Sequence, residues 1–258
     1  MYLFENDDYL IFPLIMNNPQ GMSFNMLHPI TGDRNFRMAV IHAIDRADYA
    51  TVAAGDWAWG VSDDNGGESM WGYATAFRKF IPVYGYNPEL AKQYLADSVY
   101  NGESIELTAA ISTNLKGAEI MQQQLAAIGI DSYINETDTA GLNAQFRTAE
   151  HNIIVHGITF TYAAGSANHV FIPGGSQNRG SYDNPEVTRL LQEAAVTLDP
   201  AVREALYHEA QDIIAYDMPF SPLIWRLNGI VGTRGVGGLI LPNDTHSTNL
   251  RGLYWIVD

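Results

Sequence analysis

Seven histidines are the first residues in this chain that invite a chemical reading. His151 and His156 lie five apart around an expected strand, so they point to opposite faces and share one ion poorly. His28, His42, His169, His208 and His246 have no second histidine at ligand spacing on a shared helical face, and His42 reads as a packed helix residue. Nucleophilic catalysis finds no better footing. No G-x-S-x-G elbow is present, and Ser166 and Ser176 sit in expected loops without an identifiable base. The glycine-rich piece GTRGVGGL (232–239) lacks the lysine and hydroxyl of a phosphate loop and precedes no helix. Asp7-Asp8 and Asp63-Asp64 are adjacent in sequence, as carboxylates in a solvated turn are, and nothing selects a distant pair for glycoside hydrolysis. The sequence thus names no metal, no cofactor and no catalytic residue. Aromatic side chains offer a different chemistry. Trp57, Trp59, Trp71 and Tyr73 crowd one irregular stretch, and Phe160 and Tyr162 crowd another. Aromatics on loops suit recognition of peptides or sugars by stacking and apolar contact, although they also form the packed centres of loops.

The elements that would position these residues follow from local signals. A strand is expected over 9–16. Asp33 can cap a helix whose apolar positions Phe36, Val40, Ala43, Ile44 and Ala47 share one face, with Gly55 past its end. Asn87-Pro88, Asn184-Pro185 and Asp199-Pro200 mark three more helix starts. In each the Asx side chain accepts from first-turn amides, and proline occupies a position whose donor has no partner anyway. These helices are expected to bury Leu90, Tyr94 and Leu95; Val187, Leu190, Leu191 and Ala194; and Ala205, Leu206, Ala210, Ile213 and Ile214.

Between 105 and 158 strands and helices alternate. Ile105, Leu107, Ala109 and Ile111 have strand period. Leu115, Ala118, Met121, Leu125 and Ile128 form a helical stripe closed by Gly129. A strand over 130–136, a short helix around Leu142 and Phe146, and a strand over 153–158 complete a β-α-β-α-β run, which favours a mostly parallel sheet flanked by helices. Residues 56–84 and 159–181 read as irregular, and 229–258 as short strands and turns in a separate layer.

Composition narrows the partners. With 29 acidic and 14 basic residues the net charge is −15, and the only lysines are Lys79, Lys92 and Lys116. Nucleic acid and anionic membrane surfaces require a basic stripe, and this chain has none. The absence of cysteine removes disulfides, thiolate metal sites and thiol nucleophiles. No run of about 18 apolar residues spans a bilayer, and the first residues lack the basic region and cleavage site of a secretory signal.

GDRNFRMAVIHAIDRADYATVAAG (32–55) resembles the signature of family 5 extracellular solute-binding proteins of ABC importers, the oligopeptide, dipeptide and nickel binders. Asp33, Phe36, Arg37, Ala39, Ala43, Ile44, Asp45 and Arg46 match it, while Asn35 stands where a hydrophobic residue is usual. YGYNPELAKQYLADS (84–98), QQQLAAIGIDSYI (122–134), YDNPEVTRLLQEA (182–194) and DPAVREALYHEAQDIIAYDMPFSPL (199–223) resemble later blocks of the same family, in the same order.

The resemblance implies an α/β fold of the type II periplasmic-binding-protein kind: a second lobe with a mixed sheet flanked by helices. Residues 1–17 would be a crossover strand from a first lobe, 18–222 the second lobe, and 223–258 a return crossover with a C-terminal first-lobe segment. Most of the first lobe is expected to be missing, so the chain reads as a second-lobe fragment. The implied function is non-enzymatic capture of a small, peptide-like solute in an interlobe cleft for ABC import. The implied partners are that ligand, the permease subunits and the first lobe, and the protein would lie outside the cytoplasm on a lipid anchor. An exposed lobe interface would also allow a homodimer. A carbohydrate-active hydrolase and a protein-interaction module are the rival readings. Peptide binders of the family carry a tryptophan and an ammonium-pairing aspartate where this chain has Ile158 and Thr161. A hydroxyl cannot supply that charge-assisted bond. Ile158, Thr161, Tyr162 and Asn168 are the expected cleft-facing residues, followed by Trp57 and Trp59.

Overall fold

The structure is a computed structural model that describes residues 9–15, 19–55, 58–61, 85–110, 113–158, 163–238 and 253–255. In chain order the elements are β1 (Tyr9–Ile15), β2 (Gln20–Phe24), α1 (Arg34–Ala43), α2 (Arg46–Ala53), β3 (Ala58–Val61), α3 (Pro88–Ala96), β4 (Ile105–Ala110) and α4 (Thr113–Ala127). They continue with β5 (Ser132–Thr137), α5 (Thr139–Thr148), β6 (Ile153–Gly157), α6 (Ala163–Phe171), α7 (Pro185–Val196), α8 (Pro200–Asp217), β7 (Phe220–Thr233), β8 (Val236–Gly237) and β9 (Tyr254–Trp255).

Local capping chemistry explains most helix starts. The side chains of Asn87, Asn184 and Asp199 each accept from first-turn amides, with proline at the first helical position, as the Asx-Pro pairs lead one to expect. The helix expected from Asp33 to beyond Ala47 is instead two. Ile44 turns extended, and Asp45 accepts from the amides of Ala47 and Asp48 at 2.9 and 3.2 Å, starting α2 afresh. A short polar side chain that satisfies nearby amides competes with helix continuation. Apolar spacing alone passes over this break, because Ile44 remains fully buried through it.

A seven-stranded mixed sheet runs β1-β7-β2-β6-β4-β5, with β3 also paired to β7. The expected parallel portion is present: β4 lies between β5 and β6 and is parallel to both. Strand β2, which the sequence reading passes over, is antiparallel to both β6 and β7. Residues on β6 alternate between two cores. Ile153 and Val155 join the cluster that contains Met22, Phe36, Met121 and Leu125, while His156 faces Phe220 of the second cluster at 5.6 Å between ring centroids. The second cluster is closed by α7 through Val187, Leu190, Leu191 and Ala194, the stripe the spacing predicts. On α8 the buried face is Tyr207, Ala210, Gln211, Ile214 and Ala215; of the expected set Ala210 and Ile214 are buried, Leu206 and Ile213 pack against the cluster half-buried, and Ala205 is exposed. The true stripe is a clean i, i+3, i+4, i+7, i+8 series that includes a tyrosine and a glutamine, which an aliphatic count skips.

Two irregular expectations change. Residues 159–181 contain α6, and 56–84 contain β3; the rest of 56–84 lies outside the described residues. Nor does a new layer begin at Gly229, since β7 continues unbroken to Thr233. The first part of β7 pairs with β2, and Leu227 to Thr233 pair with β1 from Ile15 to Tyr9. Strands β1 and β7 therefore form an antiparallel ribbon in which the entering and returning chain run side by side. Strands β8 and β9 form a separate two-stranded sheet.

Gly21 shows how tightly β2 is held. A Cβ there would collide with the backbone carbonyl of Ser221 and crowd Pro222 Cα. Backbone cannot yield as a flexible side chain can, so Gly21→Ala is expected to cost roughly 1–3 kcal/mol of stability. Urea unfolding checks this, and an unchanged midpoint would contradict the close approach.

Candidate functional site

In parallel sheets ligands sit beyond the carboxyl ends of the strands. Here β4 ends at Ala110 and β6 at Gly157. Gly157 is in register with Gln20, the first residue of β2, and the Ile158 amide donates to the Pro19 carbonyl at 3.1 Å. Gln20 is also partnered with Ile224 on β7, and Val61 of β3 faces the same Ile224. Four elements thus converge at one edge of the sheet: the end of β6, the start of β2, β3 and the middle of β7. The first turn of α4 joins them, because Gln20 Nε2 donates to Asn114 Oδ1 at 2.9 Å.

The candidate residues from the sequence distribute around this edge. Ile158 is fully buried in the second cluster, with Val170 and Phe171 of α6 and with Tyr182, so its side chain packs the wall behind the edge. Trp59 belongs to β3, which places its backbone beside β7. Asn168 lies on α6, two residues before Val170, and its Oδ1 is buried without a hydrogen-bond partner. Thr161, Tyr162 and Trp57 lie outside the described residues. Gln20 and Asn114 are the residues that sequence reasoning missed. One signal could have found Asn114: it follows the expected strand that ends near Ala110, at a strand-to-helix junction where parallel sheets expose polar groups to ligands.

Beneath the edge lies a buried polar relay. His156 Nδ1 is 2.9 Å from the Gly157 carbonyl, which can only accept, so Nδ1 carries the proton. Its Nε2 then accepts from the Ser23 hydroxyl at 2.7 Å. Burial, reinforced by the Arg179 cation, holds the His156 pKa well below the ordinary histidine value, so the ring is neutral. Ser23 and His156 are 2% and 1% exposed. A serine–histidine pair this enclosed meets no substrate, and its role is to fix the end of β6. Among the described residues no group of three or more histidine, aspartate or glutamate side chains could hold a metal ion. Among the described residues, His169 Nδ1 lies 3.5 Å from Ser176 Oγ.

Comparison with known proteins places this arrangement. Residues 4–182 match the family model for bacterial extracellular solute-binding proteins, family 5 Middle. The glutathione-binding protein GsiB of Shigella flexneri serotype 5b (strain 8401) is 27% identical over 267 residues, covering 98% of this chain and 48% of that protein. Among solved structures, the periplasmic binding protein DppA from Helicobacter pylori, in complex with the peptide STSA, superposes with a TM-score of 0.82 at 25% identity. That match covers 99% of this chain and 50% of DppA. A dipeptide-binding protein from Pseudoalteromonas sp. SM9913, in complex with Met-Leu, shares the fold at a TM-score of 0.78 and 21% identity, over 98% of this chain and 51% of its own. The chain spans about half the length of the curated relatives it matches. These relatives are solute-binding transport proteins of the type II periplasmic-binding fold. The family-model match runs from before β1 through the parallel strands to the loop preceding α7, so this chain belongs to family 5 of the bacterial extracellular solute-binding proteins.

Proposed function

We propose that the chain is the second lobe of an ABC-importer solute-binding component and captures a small, peptide-like solute at the edge formed by β2, β3 and β6. The observation that carries this reading is the β1–β7 ribbon. Two adjacent strands enter and leave at the edge where β6 ends, which is how a two-strand crossover would join a second body across a cleft. In this reading 1–17 is the crossover strand entering from a first lobe, 18–222 is the lobe itself, and 223–258 is the return crossover with a C-terminal first-lobe segment. The ligand contacts are Thr161, Tyr162, Asn168, Trp57 and Trp59, with Ile158 supporting them from the core. Exposed Tyr254 and Trp255 lie in the C-terminal first-lobe segment of this reading, and a homodimer of this chain would use the exposed lobe interface. The partners are permease subunits, the work involves no catalysis, and the setting is outside the cytoplasm on a lipid-anchored whole protein. An acidic chain suits that setting, because it stays soluble and is repelled by anionic membrane.

Closure draws on contacts that exist only when both lobes grip the ligand. The chain alone is therefore expected to bind weakly. Titration of the ¹⁵N-labelled chain with glutathione, Met-Leu and Ser-Thr-Ser-Ala should give saturable amide shifts clustered at 20–21, 58–61 and 157–168. Absence of saturable shifts with all three would overturn solute capture. Submicromolar affinity in a calorimetric titration would overturn the need for a second lobe.

A further inference from the structure

We propose that Gln20, held by Asn114, reads an uncharged amide group of the captured solute, so that this part of the site selects a neutral peptide-type group rather than a terminal charge. The proposal rests on the solute-capture reading and adds a chemical class to it.

Gln20 is 5% exposed, yet only one end of its side-chain amide is satisfied. Its Nε2 donates to Asn114 Oδ1, and its Oε1 is buried with no hydrogen-bond partner. Turning both amides over exchanges the roles without removing the deficit, since the contact uses one polar atom of each side chain and leaves the other atom of Gln20 unmatched. Buried polar atoms are nearly always paired, because leaving one unmet forfeits its lost hydration. The two inner neighbours of Gln20 cannot meet this need. Gly157 has no side chain and Ile224 has an apolar one. The unmatched atom belongs to the edge where ligands approach a parallel sheet, and a group arriving with the solute would complete it.

The local charge points to the kind of group. The chain holds 29 acidic and 14 basic side chains, yet the segments 16–24, 107–115, 157–171 and 219–225 contain no aspartate, glutamate, lysine or arginine. These four segments supply the start of β2, the β4–α4 junction, the end of β6 with α6, and the inner part of β7. A terminal ammonium or carboxylate brought here would lose hydration and meet no opposite charge from these four segments, although Arg226 is in register with Ala58 of β3 and Arg179 acts on the buried His156. A peptide amide both donates and accepts, so it can complete a carboxamide in either orientation. Asn168, whose own Oδ1 is buried and unmatched on α6, is a second neutral acceptor in the same uncharged setting.

The test compares a capped dipeptide, N-acetyl-alanyl-alanine amide, with free alanyl-alanine on the ¹⁵N-labelled full chain. The capped form is expected to bind more tightly and to shift the Gln20 and Asn114 side-chain amides. Gln20→Met should weaken the capped ligand about tenfold, the loss of one hydrogen bond, without lowering the unfolding midpoint enough to explain it. Gln20→Glu should reverse the preference toward the free ammonium form, which a merely structural glutamine would not do. Tighter or equal binding of free alanyl-alanine to the native chain overturns the amide assignment. So does unchanged affinity of the capped form in Gln20→Met. Either result leaves solute capture standing if glutathione, Met-Leu or Ser-Thr-Ser-Ala still binds, whereas failure of every probe removes both.

Discussion

Arg37→Met is expected to destabilise the fold by roughly 3–5 kcal/mol, because it leaves three enclosed carbonyl acceptors without donors at about 1–3 kcal/mol each. Arg37 is 3% exposed, and its guanidinium makes four hydrogen bonds. Nε and Nη2 donate to the Asp217 carbonyl at 3.0 and 2.7 Å, and Nη1 donates to the carbonyls of Thr31 and Gly32 at 3.1 and 2.7 Å. Asp217 is the last residue of α8, so its carbonyl is one of the acceptors that a helix end leaves without an internal partner. A cation there also meets the negative end of the helix dipole. The Asp217 carboxylate does not bond the guanidinium. It accepts instead from Tyr182 OH at 2.6 Å and Asn184 Nδ2 at 3.0 Å, which links α8 to the start of α7. One side chain thus joins α1, the 31–32 turn and the end of α8. Burial pulls the Arg37 pKa down to about 10, with Asp217 opposing the shift, so the charge persists at neutral pH. Arg37→Lys should recover only part of the loss, because an ammonium lacks the planar fork that reaches three carbonyls at once. In urea the variants should show a lower midpoint at unchanged slope. A loss below about 1 kcal/mol for Arg37→Met would contradict the clasp.

This residue also shows what was legible in the sequence and what was not. Arg37 stands out in the 32–55 block as part of a family resemblance, but its partner Asp217 lies 180 residues away, at the end of a helix whose exact face the pattern only partly places. Signals contained within one turn read well: Asp33, Asn87, Asn184 and Asp199 cap as expected, since donor and acceptor sit two or three residues apart. The α7 stripe reads well because one wide apolar face repeats at helical period. Strand β2 was hidden because all five of its residues are buried, so nothing alternates, and its neighbours β6 and β7 lie far along the chain. Helix α6 was hidden by its composition, since Ala-Ala-Gly-Ser-Ala offers no apolar stripe and contains a weak helix former. The candidate site shares that fate. The aromatic loops were visible as composition, whereas the Gln20–Asn114 contact spans 94 residues and emerges only when β2 pairs with β6.

Acid is expected to unfold this chain earlier than its carboxylates alone would require, and the cause is buried histidine. His151 and His156 are 0% and 1% exposed, and burial holds the pKa of each below the ordinary value near 6.5. For His156 the Arg179 cation acts in the same direction; for His151 the carbonyls of Gln145 and Arg179 and the Glu106 carboxylate oppose the shift without cancelling it. The folded state therefore keeps both rings neutral at a pH where the unfolded chain already binds protons. Stability is complete above the unfolded value, falls as pH drops through it, and continues to fall until each folded pKa is reached. A ring that stays neutral throughout contributes a slope approaching 1.4 kcal/mol per pH unit below about pH 6.5. Protonation has no easy outlet in either place. His156 Nε2 already accepts from Ser23, and a proton there would set two donors against each other unless the hydroxyl turned away. His151 Nε2 is buried without a hydrogen-bond partner in the neutral ring, and the backbone carbonyl of Arg179, which favours the proton, does not offset the burial. The check is the pH dependence of urea unfolding in the native chain and in His156→Gln, where the acid slope should become shallower. Native-state titration of the ring protons gives a second reading, with His156 expected to stay neutral down to the onset of unfolding. An unchanged slope in His156→Gln, or a His156 ring that titrates near 6.5 in the folded chain, would overturn the assignment. Because His156 grips Gly157 at the end of β6, this acid weakness falls on the strand end that anchors the proposed ligand edge.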